Sequence, residues 1–155
     1  MSRPSNPSWF GRRYPLWNDL IGYVEGLGCL IGFADLGSQA LFVPGSQAEP
    51  PVILLPHDQG LLGHWLLAHE LAHLRLHSGY TGPRSRDKQE AQAYRWAACA
   101  LIPEARIRNH MNASEDAFIA ALSVHYEDIP LESCGLRELA HTISRHRLKA
   151  LLEVA

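Results

Sequence analysis

The chain has 155 residues, 46% of them hydrophobic and 19% charged, with a formal net charge of -2. That length buries enough surface for one self-supporting domain, and the composition excludes a disordered or coiled-coil protein. The near-neutral charge supplies no global field for nucleic acid or an anionic membrane, so direct binding to either is not expected.

Residues 1–15 carry Pro4, Pro7 and Pro15 among Ser, Asn and Arg, which predicts a flexible or loosely draped arm. From Leu16 to about Leu27, Leu16, Leu20, Ile21 and Val24 fall three or four apart and predict a short amphipathic helix ending at Gly26 or Gly28. Three brief apolar runs follow, 29–34, 40–43 and 52–55, each bounded by Gly, Pro, Asp or Ser; they predict a small antiparallel sheet of about three strands. Leu61 to His77 is a run of good helix formers, with Asp58 as the expected N-cap and Gly79 as the expected stop. The glycines, proline and arginines of 78–86 mark a loop. A second long helix is expected from about Asp87 to Leu101, halted by Pro103, and two more over Ser114–Leu122 and Leu136–Leu152. The last of these has the look of two short helices around Ser144, half of a DNA-binding motif, yet about twenty residues cannot make an independent helix-turn-helix domain, and a bundle helix with a solvated basic end is the better reading. Cys29, Cys99 and Cys134 are an odd number without CxxC spacing, so neither a disulfide framework nor a cysteine zinc knuckle is expected, and a cytoplasmic protein is. There is no secretory h-region and no run of the roughly 20 apolar residues that spans a bilayer.

The chemistry concentrates in His69-Glu70-Leu71-Ala72-His73. Residues four apart on a helix lie about 40° from each other around the axis, so two imidazoles can face one cation. Glu70, offset by about 100°, is placed to take a proton from water rather than to bind the metal. Nine histidines in the chain make a chance match a real competitor, and each alone is more often structural. The helical context weighs against chance: Leu66, Leu67, Leu71 and Leu74 can clamp the helix on a core and hold its ligands still. Zinc needs a third protein ligand and an open fourth position. His77 lies about 12 Å along the helix from His69, too far to share one ion. The pattern with a third His six residues after the second would put it at position 79, where Gly79 stands. Glu90, in the first turn of the next helix, is the better candidate, although a capping carboxylate favoured by the helix dipole fits the same spacing. An oxyanion stabiliser is expected opposite the metal, and His110, His125 and Tyr126 are equal candidates.

Ala68-His69-Glu70-Leu71-Ala72-His73 with His77 beyond, followed by Glu90-Ala91-Gln92-Ala93-Tyr94-Arg95-Trp96-Ala97-Ala98-Cys99-Ala100-Leu101-Ile102-Pro103, resembles the ImmA/IrrE family of bacterial and phage metallopeptidases. Ala72 stands where that family usually has Gly, Tyr94 where it has Asn or Asp, and Trp96 where it has Phe. The resemblance, close over 60–103 and looser over 16–155, implies a zincin-like, gluzincin-like metallopeptidase with His69, His73 and Glu90 as metal ligands and Glu70 as general base. It implies zinc as cofactor, with manganese also suited to two imidazoles and a carboxylate. It further implies a protein substrate, a helix-turn-helix transcriptional repressor of a phage, mobile-element or stress-response system, and a short form without the sensor domain of longer members.

The expected fold is therefore α+β: an arm over 1–15, then a single domain over 16–155 with a metal-site core at 58–103 and a helical part at 104–155. The expected activity is zinc-dependent hydrolysis of a peptide bond. Its rivals are a catalytically silent relative that inactivates a repressor by docking, and a zinc amidohydrolase acting on small substrates.

Overall fold

A computed structural model describes residues 5–77, 86–104, 116 and 136–154. The elements run α1 (Trp17–Gly26), β1 (Leu30–Phe33), β2 (Leu41–Val43), β3 (Val52–Leu55), α2 (Leu61–His77), α3 (Arg86–Leu101) and α4 (Leu136–Val154). The architecture is α+β, as the sequence patterns predict. The residues of Gly79, of the expected helix 114–122 other than Asp116, and of His110, His125, Tyr126 and Cys134 lie outside the described set.

The sheet departs from the antiparallel expectation. Its order is β1-β3-β2, with β3 parallel to β1 (Ile31 opposite Ile53) and antiparallel to β2 (Phe42 opposite Ile53). The reason lies in the strands' apolar content. Val52-Ile53-Leu54-Leu55 is apolar at every position, with Ile53 and Leu55 fully buried, and such a strand belongs in the middle of a sheet. Leu30, Phe33, Leu41 and Val43 remain exposed, which suits β1 and β2 to the two edges. The chain passes beyond the place of β3, lays down β2, and returns between its two predecessors.

Two glycines set the joints. Gly28, at φ +81°, follows the C-cap of α1, where a left-handed residue is cheap only for glycine. Gly63 sits where a Cβ would collide with the carbonyl oxygen of Asp58 and press on Trp17. Asp58 does not cap α2 directly: its Oδ1 accepts from the Gly60 N–H at 2.7 Å, a local turn that feeds the helix starting at Leu61. At the start of α1 the N-cap is Leu16, which has no side-chain acceptor, and Asp19 supplies the other half of a capping box by accepting from the Leu16 N–H at 2.7 Å.

The core gathers Leu20 and Val24 of α1, Ile53 and Leu55 of β3, Leu67, Ala68, Leu71 and Ala72 of α2, the alanines 93, 97, 98 and 100 of α3, and Ala140 and Ile143 of α4. So many buried alanines let α2 and α3 approach closely, and these two helices form the most extensive contact between elements. The proline-rich segment, over residues 5–15, lies against this body: Trp9 is buried, Phe10 stacks on Trp96 at 5.1 Å, and the Trp96 indole N–H donates to Asn6 Oδ1. The C-terminal segment is one unbroken helix through Ser144, without a turn of the helix-turn-helix kind. Its Arg147 is buried and donates from Nε to the Ile102 carbonyl at 3.0 Å, tying α4 to the end of α3.

Candidate metal centre

Trp65, His69 and His73 recur at four-residue spacing and so form one stripe of α2. Buried leucines and alanines on the neighbouring positions fix that helix, and His69, Glu70 and His73 are all buried. Glu90 projects from the second turn of α3 across the close α2–α3 contact. Its Oε2 lies 3.0 Å from His69 Nε2 and its Oε1 2.9 Å from His73 Nε2. The carboxylate is therefore turned onto the histidines rather than back to its own helix end, which was the competing reading of its position. One donor atom from each of His69, His73 and Glu90 lies within 4.8 Å of the others, and together they could hold a metal ion.

Three features fit the group to a cation. The donor set is two nitrogens and one oxygen, which suits zinc and leaves a fourth position. The His73 Nε2 atom is sealed from solvent, so a partner must come from the site itself. The half-buried carboxylate brings negative charge against two buried imidazoles, and a divalent ion would offset it. Glu70 is beside this set: its Oε1 is 3.6 Å from His69 Nδ1, on the other side of that ring from Glu90.

An aromatic wall extends the site in a way the sequence patterns do not reveal. Tyr94 stacks on His69, ring centres 4.3 Å apart and planes 15° from parallel. His146 of α4 stacks on Tyr94 at 5.0 Å and again 15°, and Trp65 lies against both, 5.6 Å from Tyr94 and 6.0 Å from His146. The i, i+4 spacings Glu90–Tyr94 and Trp65–His69 carry a signal for two of these residues. His146 has none, because its place depends on how α4 folds back. Burial, then Glu90 and Glu70, push the Tyr94 phenol up, so it stays protonated and able to donate at neutral pH. Burial, then Lys149, His69 and the arginines 145 and 95, push the His146 imidazole down, favouring its neutral form. Burial likewise pushes up the thiols of Cys29 and Cys99, which are free and carry no nucleophilic role here.

A helix-borne His-Glu-x-x-His with a glutamate from the next helix defines the class of single-metal peptidase centres. Within that class, the family described as the IrrE N-terminal-like domain, peptidase family M78, matches residues 24–127, and the chain belongs to it. It is a metallopeptidase family, as the resemblance over the two site helices implies. Neither the curated proteins nor the solved structures contain a match to the chain. Among the described residues, no helix is long and apolar enough to cross a membrane.

Proposed function

We propose that the protein is a zinc-dependent peptidase acting on a protein substrate. The observation that carries this reading is the convergence of His69, His73 and Glu90 with Glu70 beside them. In this reading His69 and His73 each give Nε2 and Glu90 gives a carboxylate oxygen. A divalent cation bound by these residues would supply Lewis acidity for a peptide carbonyl and a water molecule. Glu70, 3.6 Å from the first ligand ring, takes the proton from the attacking water and passes it to the departing amine. Tyr94 flattens the His69 ring into one orientation and excludes water from its face. The family resemblance extends the substrate to a helix-turn-helix repressor, in a cytoplasmic regulatory role.

The decisive variant is Glu70→Gln, which keeps the ligand set and removes the base. Purified wild type, this variant and chelated wild type are incubated with a panel of helix-turn-helix repressors from the same genome, and fragments are read by mass spectrometry. Cleavage by wild type alone is expected, with the variant slower by about 10²–10⁴-fold. Repressor inactivation that survives in Glu70→Gln would sink the hydrolytic reading and leave a docking protein.

A further inference from the structure

We propose that Thr142, Arg145, His146 and Lys149 of α4 line an anion subsite beside the metal centre, one that seats a carboxylate of the polypeptide being cut. The inference rests on the hydrolytic reading for its meaning, and its binding half can be tested apart from that reading.

These four residues follow at intervals of three, one and three, so they share one flank of α4. They border a cavity of about 400 Å³, within the range of small-ligand sites. The face of α4 that packs inward is a different one, made by Ala140, Ile143, Ser144, Arg147 and Ala150. Thr142 gives its hydroxyl hydrogen to the Glu138 carbonyl, which leaves Arg145 and Lys149 as the charged donors of the cavity. Both are exposed, and neither enters an ion pair among the described residues. Arg145 and Lys149 place two positive charges on this flank of a chain whose net charge is -2.

The position gives those charges their use. His146 belongs both to the cavity wall and to the stack that runs through Tyr94 to His69. Those two stacking distances put its ring within about 9 Å of a ring that faces Glu90. An extended peptide advances about 3.3 Å per residue, so a chain lying across the metal centre reaches the cavity two or three residues from the bond under attack. A solvated basic helix face would share the charges but show no preference among peptides.

The test uses the zinc-loaded full chain in its Glu70→Gln form, which binds without turnover, and labelled N-acetylated Ala-rich dodecapeptides. One carries two Glu at its centre, one Gln and one Lys in their place, each made with an amidated and with a free C-terminus. Fluorescence anisotropy should show the amidated Glu peptide binding about tenfold tighter than the Gln peptide. Adding Arg145→Glu and Lys149→Glu should abolish or invert that order, with zinc content and circular dichroism unchanged. A preference for the free terminus alone would assign the site to the α-carboxylate, and an internal preference to acidic side chains. Equal affinities for Glu and Gln peptides overturn the proposal. So does a charge reversal that weakens binding to a short DNA duplex but leaves the peptide order intact. Charge-selective binding together with no hydrolysis of any peptide or protein by wild type leaves the subsite standing and defeats the peptidase reading. Hydrolysis by wild type that ignores charge does the reverse.

Discussion

Tyr94 occupies an instructive place because it is neither a metal-donor candidate nor a filler of the core. Its ring lies flat against His69 at 4.3 Å, while the opposite ring nitrogens of that histidine face Glu90 and Glu70. An imidazole held on its face by Tyr94 and at Nε2 by Glu90 has little freedom to rotate, and a ligand already in its bound orientation loses less entropy when the ion arrives. An aromatic pair of this geometry is worth about 0.5–1.5 kcal/mol, a factor of about two to thirteen in a binding constant. Tyr94→Leu is therefore expected to weaken zinc affinity by about that factor without abolishing it, measured by competition with a chromophoric chelator. Glu90→Ala, which deletes a donor, should lose far more. An unchanged affinity in Tyr94→Leu would reduce the stack to coincidental packing.

The helices carry most of what was legible beforehand. The bounds of α2 and α3 follow from helix formers, from the apolar spacing of α2 and from Pro103, all local properties, so His69, Glu70 and His73 were legible on one helix. Glu90 on the next helix was open to a capping role on spacing alone, and the family resemblance pointed it at the histidines. The strand order was not legible, since whether β3 pairs beside β2 or inserts between β1 and β2 depends on the burial of the whole sheet. His146 was hidden for the same reason. The joints before α2 and α1 give two tests. Gly63→Ala forces a methyl onto the Asp58 carbonyl, and an overpacked site of this kind typically costs about 1–3 kcal/mol; chemical denaturation should show it, and an unperturbed midpoint would mean that the turn at Asp58 yields freely. At α1, Arg13 holds the Asp19 carboxyl below its ordinary 3.8, helped by the Leu16 N–H. A depressed carboxyl contributes stability above its unfolded pKa and loses it as pH falls through the folded one. Asp19→Asn should therefore cost up to about 1 kcal/mol at pH 7, limited by solvent screening, and the gap from wild type should close below about pH 4. A gap that persists at pH 2 would point to packing instead of charge.

The candidate metal centre is also a joint of the molecule, because the residues that could hold an ion come from two helices, α2 and α3. Without a cation, the half-buried Glu90 carboxylate faces the two buried imidazoles across the α2–α3 contact, at 2.9 and 3.0 Å. With one, the same atoms share a ligand that binds the folded arrangement and has no such cage in the unfolded chain. Mass action then adds stability of about 2.7 kcal/mol at a free metal concentration one hundred times the dissociation constant. For a domain of this size 1 kcal/mol moves Tm by about 2–4 °C, so zinc-loaded protein should melt roughly 5–10 °C above chelated protein. The α4 helix should follow α3 in this, since the buried Arg147 ties it to Ile102 at the end of α3. A far-ultraviolet melt of chelated protein should accordingly show one cooperative transition at lower temperature rather than early loss of α4 alone. Glu90→Ala should melt at nearly the same temperature with and without zinc, while Glu70→Gln keeps the full difference. If chelator moves neither wild type nor Glu70→Gln, His69, His73 and Glu90 do not form a metal cage, and their convergence is a feature of the helix packing alone.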